Sequence, residues 1–384
     1  MEKHRIYADC AAASPLSERA LRAAMPFLTE AFGNAGSVHS LGMRSARAVF
    51  DARKKLSELL GCDSRELFFT SGGTESDNWA LRSAAELGEQ NGKRHIVTTA
   101  VEHHAVLHTC AYLERRGFEV TYLPPDKEGR ITASQVADAV REDTALVSVM
   151  YANNEVGVIY PIGEIAEACR ERGVLFHTDA VQAAGHEPIS LRELGADMLS
   201  LSGHKFGAMK GIGALFIREG VKLPPFMLGG AQESGLRAGT ENVPGIVSMA
   251  AALEESLEDL ADKNRRLSAL RDRVIDGLLE IEGSALNGAR DSRLAGNVSV
   301  SFEGIESESL VLMLDIKGIQ ASGGSACTSH SPDPSHVLLA MGQLRELAKG
   351  SLRLSFSPSL TDEDAEAVIA AVTETVKLLR ANRS

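Results

Sequence analysis

Lys205 lies in LSLSGHKFGAMKGIG (199–213), where an apolar run beginning at Met198 gives way to a glycine-rich turn and Ser202 and His204 stand close by. A lysine held at such a point can lose its proton through desolvation, and the free amine is a nucleophile that forms Schiff bases with carbonyl compounds. Taken alone, the residue reads more readily as a solvated loop lysine. A second stretch able to do chemistry is Ser71-Gly-Gly-Thr-Glu-Ser76, which follows the apolar Leu67-Phe-Phe-Thr70 and precedes a helical run through Trp79. Glycines there let the backbone approach an anion, the helix N-terminus offers free N–H groups, and Thr74 adds a hydroxyl. The same pattern also fits an ordinary strand-to-helix turn with capping residues.

The elements that must position these groups alternate. Strands are predicted at 67–70, 95–99, 120–123, 144–150, 174–177, 198–202 and 214–217, with helices at 17–32, 41–60, 132–140 and 162–172 among those between and around them. That rhythm implies a mainly parallel seven-stranded sheet covered on both faces. Thr74, His103, Asn154, Asp179, Gln182, Ser202, His204 and Lys205 all fall where predicted strands end. In an open α/β sheet the ligand crevice lies outside the carboxyl ends of the strands, so eight polar residues arriving there are better explained as the lining of one site than as eight helix caps. A lysine, an anion cradle and a buried acid together suit pyridoxal phosphate (PLP), with Asp179 paired to the pyridine nitrogen, His103 offering a ring face and Gln182 within reach of the ring hydroxyl.

After Pro244 one helical region runs to about Ile281, then the rhythm changes. Strands at 297–302, 319–322 and 351–356, with helices at 307–314, 335–341 and 362–379, make a smaller α+β domain. The division expected is a large PLP-binding domain over 14–258 and a small domain built from 1–13 and 259–384. The chain has 384 residues, 44% of them hydrophobic, and a net charge of −12, which argues against nucleic acid or an anionic membrane as its main partner. No apolar run approaches a membrane span, the N-terminal residues lack the apolar core of a signal peptide, and a cytoplasmic location is expected. The five cysteines are scattered with no C-x-x-C pair, so neither a disulfide framework nor a structural zinc site is expected. Cys62, Cys110 and Cys169 read as inert thiols.

The segments SGGTESDN (71–78), EHHAVL (102–107), NNEVG (153–157), HTDAVQ (177–182), SGHKF and KGIGAL (202–215), RAGTENVPGIV (237–247), SGGSACTS (322–329) and SLRLS (351–355) together resemble the cysteine desulfurases of the NifS/IscS type, within the fold-type I PLP enzymes. They run in the family's order over nearly the whole chain. The resemblance implies that Lys205 carries the cofactor and moves protons, that Asp179 and Gln182 bind its ring, and that His103 stacks on it. It gives Thr74, Ser202 and His204 the phosphate, and makes Thr240 a phosphate contact reaching the partner subunit's site in a homodimer. Asn154 and Arg353 would take the substrate carboxylate, a role for which a guanidinium fork is suited on geometric grounds as well. No resident metal is implied.

Cys327 separates this reading from an aminotransferase. It lies among small residues with prolines following, a segment with little to pack. By itself it reads as an exposed thiol. With the resemblance it becomes the nucleophile that takes sulfur from L-cysteine, releases L-alanine and carries a persulfide to an acceptor such as an iron–sulfur scaffold or a tRNA-thiolation enzyme. The stretch from Ser325 to His336 is long, as in the IscS-like group. The chain departs from the family pattern at Asp9-Cys-Ala-Ala-Ala-Ser-Pro15, where paired threonines are usual, at Met209, where proline is usual, and at Gly323-Gly324. Selenocysteine lyase, another PLP-dependent aminotransferase activity, and a sulfur-transfer scaffold without turnover are the competing readings.

Overall fold

The computed structural model describes residues 5–323 and 333–382. Cys327 lies outside them. Short apolar runs bounded by glycine and polar turns form the strands β1 (Ile6–Tyr7), β2 (Leu67–Thr70), β3 (His95–Thr99), β4 (Glu119–Leu123), β5 (Thr144–Ser148), β6 (Leu175–Asp179), β7 (Met198–Ser202), β8 (Gly213–Ile217), β9 (Ser284–Leu286), β10 (Asn297–Phe302), β11 (Ile319–Gln320) and β12 (Ser351–Ser355). Strands β2 to β8 form one seven-stranded sheet in the order β2-β8-β7-β6-β5-β3-β4. Only β8 runs against the others, pairing antiparallel with both β2 and β7. Every residue of β3, β5, β7 and β8 is buried, as expected of strands covered on both faces.

The four long helices of the first third are α1 (Glu18–Thr29), α2 (Ser40–Leu60), α3 (Gly73–Gln90) and α4 (His104–Glu114). Trp79 of α3 is fully buried between Phe68, edge-on at 5.7 Å, and Phe226, stacked at 6.0 Å. Strands β12, β10 and β9 form a second, antiparallel sheet, and β1 pairs parallel with β11. A separate apolar cluster lies between that sheet and the helices Leu260–Leu279 and Asp362–Ala381.

Three details differ from the sequence expectation. The helical region after Pro244 is two helices, Val243–Leu257 and Leu260–Leu279, because Asp259 takes a left-handed conformation (φ 50°) that ends one and starts the other. The second sheet gains β9, whose three half-buried residues show no alternation long enough to read. The first helix ends at Thr29 rather than Phe32, with Glu30 as its C-cap. Among the described residues no helix is long and apolar enough to cross a membrane.

Met209, in the usual place of proline, donates its N–H to Ser248 Oγ at 2.9 Å, a bond a proline cannot make. The edge strand β2 is closed by another side chain. Glu233 is almost wholly buried, accepts the Phe69 N–H at 2.9 Å, and takes both prongs of Arg53 at 2.7 and 2.8 Å. Glu233 and Ser234 both adopt left-handed backbone angles (φ 46° and 58°), strain held in place by this anchor. Replacing Glu233 by Ala strands a guanidinium and an edge N–H, so Glu233→Ala should destabilise the fold by about 3 kcal/mol. Glu233→Gln, which keeps the amide contact, should cost less. Thermal melts of the two variants beside the parent check this, and equal midpoints for all three would refute it.

Candidate active site

The carboxyl ends of the parallel strands open into a cavity of about 380 Å³ lined by Thr74, His103, Asn154, Asp179, Gln182, Ser202, His204 and Lys205. All eight strand-end residues picked from the sequence therefore meet in one place. Each arrives for a local reason. Asp179 and Ser202 are the last residues of β6 and β7. Lys205 closes the single 3-10 turn that follows β7. His103 is the N-cap of α4, and its Nδ1 accepts the Ala105 N–H at 3.2 Å, which places the proton of the neutral ring on Nε2. Larger hollows exist elsewhere, including one of about 590 Å³ lined by Cys62 and Arg192, but neither Lys205 nor Asp179 lines it.

Lys205 Nζ donates to the carbonyls of Ala11 (2.6 Å) and Ala12 (2.9 Å), and Gln182 Nε2 donates to Ala11 as well (3.0 Å). The Ser14 hydroxyl bonds the Lys205 carbonyl at 2.7 Å. These contacts use the backbone of the segment that departs from the family pattern, plus the one hydroxyl it keeps. The changes at Cys10 and Ala13 therefore leave the lysine's support intact. Cys10 itself is buried, and burial pushes its thiol up to about 12.

The charge balance is unusual. Asp179 and Asp77 are both buried, and burial raises both carboxyls; each also feels the other cavity charges, with Val181 N–H and Lys205 pulling Asp179 down and Asp179 pushing Asp77 further up. Glu102, fully buried behind His103, is pushed up to about 8 by burial, against the Met150 N–H (2.9 Å) and the Thr99 hydroxyl (2.8 Å) that its Oε1 accepts. Burial and then the Lys205 charge bring His103 down to about 4, so its ring is neutral near pH 7. His204 is held near 4 by burial and the two nearby lysines, Lys205 and Lys210.

Four observations test whether PLP fits. The N-terminus of α3 has no side-chain cap, so its first N–H groups are open to an anion. A Cβ on Gly73 would lie 2.5 Å from Val181 Cγ2, so only glycine permits this close floor. His204 Nδ1 is buried with no hydrogen-bond partner among the described residues. Asp179, a carboxyl starved of solvent, is the partner a pyridinium needs. Ligand atoms of Asp77, His103 and Asp179 lie within 4.8 Å of one another, a set that could also hold a metal ion, but the lysine and the anion cradle of the same cavity match PLP.

Arg353 and Thr240 sit elsewhere. Arg353 is buried behind the lining, its Nη1 on the Asn154 carbonyl (2.9 Å) and its Nη2 on Asp9 (2.8 Å), while Nε has no partner among the described residues. Thr240 is exposed and does not line the cavity. Its loop is tied back to the cradle through Arg237, which forks onto Glu75 at 2.7 and 3.0 Å. Burial works against the Glu75 charge, but Arg237 and the Ser71 N–H outweigh it and hold the carboxyl below its usual range. Sequence reasoning missed Asp77, Val181, Met150 and the Ala11 and Ala12 carbonyls. Asp77 had a signal, since it falls four residues after Gly73 on the same helix face.

This fold and this cavity define a PLP-dependent enzyme of fold type I. The model of the class-V aminotransferases matches residues 6–368. The chain is 52% identical to the cysteine desulfurase IscS of Methanosarcina thermophila over 379 residues, covering 99% of this chain and 94% of that one. A solved NifS-like protein superposes with a TM-score of 0.91 at 38% identity, covering 98% of this chain and all of the other. A second solved structure, SspA in complex with cysteine, gives 0.81 at 33% identity over 93% of this chain and all of its own. The chain belongs to the aminotransferase class-V family and, within it, to the PLP-dependent cysteine desulfurases.

The raised Glu102 carboxyl has a measurable consequence. Its ordinary value is near 4.5 and its folded value about 8. Between these the folded state holds one more proton than the unfolded, so the Glu102 contribution is lost as pH rises through that window. In cofactor-stripped protein, Glu102→Gln should remove this loss. The stability difference between parent and variant should then change by about 1.5 kcal/mol from pH 6.5 to 8. Urea unfolding at several pH values reads it, and parallel curves would show that Glu102 is already ionised.

Proposed function

We propose that this desulfurase takes L-cysteine into the cavity and leaves its sulfur on Cys327, with Lys205, Asp179 and His103 serving the cofactor. The observation that carries this is the meeting of a lysine amine, a buried carboxyl and a neutral imidazole around an uncapped helix N-terminus. Lys205 Nζ would hold PLP, with Asp179 on its pyridine nitrogen, Gln182 on its ring oxygen, His103 on its face, and Thr74, Ser202 and His204 on its phosphate. When bound, PLP withdraws electrons from the substrate's α-carbon. Lys205 Nζ is the base placed to take the α-proton and return it. Arg353, its guanidinium fixed by Asp9 and the Asn154 carbonyl, receives the substrate carboxylate together with Asn154.

The Cys327 thiolate attacks the substrate sulfur. An S–S bond forms, the C–S bond breaks, and its electron pair stays with the carbon, which is protonated to give L-alanine. Cys327 is left as a persulfide, the form handed to an acceptor protein for iron–sulfur cluster assembly or thiolation. The described cysteines, Cys10, Cys62, Cys110 and Cys169, are buried and burial raises every one of these thiols, so none competes for this role.

A homodimer in the cytoplasm completes the reading, with Thr240 reaching the second copy's phosphate. Its support is the apolar surface that α1, α2 and the loop between them leave uncovered, where Phe32 is 71% exposed, Val38 92%, Met43 62% and Phe50 57%. Two apolar clusters, one within 20–253 and one drawn from 6–8 and 267–376, support the division into 14–258 and 1–13 with 259–384, and a third that holds Val149 and Val156 together with Val337 and Leu338 joins the two parts. Alanine and sulfide release from L-cysteine with a reductant tests the whole reading. Wild type and Cys327→Ala should both be yellow with bound PLP, and only wild type should release sulfide. Equal activity in the variant would make Cys327 a bystander and the enzyme some other PLP-dependent lyase or transferase.

A further inference from the structure

Outside the cofactor cavity the fold gathers three imidazoles that the desulfurase reading does not use. His104 and His108 stand four residues apart on the first turns of α4, hence on one helix face, with ring centroids 4.9 Å apart. His336, the first residue of the helix His336–Ala340, packs its ring against His104 at 4.6 Å. Two histidines at this helical spacing are a recurrent chelating pair, and a third from another element completes a three-nitrogen set.

The hydrogen bonding of His336 gives a second, independent pointer. Its Nε2 lies 3.0 Å from the Glu102 carbonyl, and a carbonyl oxygen only accepts, so Nε2 carries the proton. Nδ1 is then the bare nitrogen. A ring whose second N–H is fixed on a backbone carbonyl is the arrangement found behind metal-bound histidines, because it sets the tautomer and the ring plane. His104 and His108 also line a hollow of about 520 Å³ beside Thr74, Asn78, Arg82 and His103, which leaves room for a water or an added ligand.

We infer that His104, His108 and His336 form a binding site for one divalent late transition-metal ion, of the Zn²⁺ or Co²⁺ type. Imidazole nitrogens suit such ions better than they suit Mg²⁺ or Ca²⁺. In the present arrangement His104 meets His336 edge to face and His108 at a tilt, so capture requires a side-chain rotation that brings the three nitrogens together. His108 is exposed on the helix surface and can change rotamer at small cost. The open fourth position faces the hollow that shares Thr74 and His103 with the cofactor cavity.

The test is titration of the PLP-loaded Cys327→Ala protein with Zn²⁺ by calorimetry and with Co²⁺ by visible absorption. Bound PLP would occupy the cavity that Asp77, His103 and Asp179 line, and the Cys327 substitution removes the competing thiol. One ion per chain is expected, with the intense visible bands of tetrahedral Co²⁺. Adding His108→Ala or His336→Gln should weaken the affinity at least ~10-fold each. Alanine at 108 suits an exposed helix position, so that variant should fold, and an unchanged yellow PLP band would show it. Absence of binding, or binding of equal strength in both variants, overturns the proposal. Either result leaves the desulfurase reading untouched, since sulfide release by the wild type is measured separately.

Discussion

The site depends on buried carboxyls placed beside a lysine. Asp77, Asp179 and Glu102 are nine-tenths or more withdrawn from solvent at the ends of the parallel strands, and burying a carboxylate without a partner is costly enough that the proton usually stays on. The cavity lowers that cost by supplying Lys205 at one side and backbone N–H donors at the other. It is therefore built to hold positive charge next to Asp179. A protonated pyridine satisfies that demand better than water does, and a protonated pyridine ring is what makes PLP an electron sink. Burial and the Lys205 charge keep His103 from holding a charge of its own, and its lowered value leaves it a flat neutral ring.

The scaffold's contribution is to make these groups converge without long loops. Parallel strands end in register, so residues at the last position of β6 and β7 and the turns after β2, β3 and β5 are neighbours by construction. The reversal of β8 places Gly213, its first residue, against Gly72 under the anion cradle, where a Cβ would sit 2.6 Å from Gly72 Cα. Arg53 and Arg237 then tie the 232–240 loop to the edge strand and to Glu75 at the head of α3. The loop that carries Thr240 is thus fastened to the same helix end that would carry the phosphate.

What the sequence made legible follows from this geometry. Thr74, Asp179, Ser202 and Lys205 could be read because they are polar residues interrupting apolar strand runs, and strand ends have one meeting place. The seven strands were legible because each is a short buried run between turn residues. Asp77 was not read, since a charged residue on a helix usually marks the solvated face, and here that face closes the cavity. Ala11 and Ala12 could not be read at all. They act through backbone carbonyls, which carry no side-chain signature. The break at Asp259 was hidden because the leucine spacing continues across it, while the break itself is a matter of one backbone torsion.

The same distinction between side-chain and backbone contacts explains which family departures are tolerated. Positions 10 and 13 flank the pair Ala11 and Ala12, which meets the lysine only through main-chain carbonyls, so the side chains at 10 and 13 vary without removing the two bonds to Nζ. At 209 the change from proline adds a hydrogen bond to Ser248 and so replaces one form of local rigidity by another. Arg353 is the opposite case. Its fork is held by a side chain, Asp9, and a carbonyl, that of Asn154, with Nε left over. A lysine at 353 could not reach both partners and present a third donor in one plane. Variation is thus cheap where the chain supports the site with its backbone and expensive where a planar, multidentate group must be aimed, and Arg353, although outside the cavity lining, belongs to the second kind.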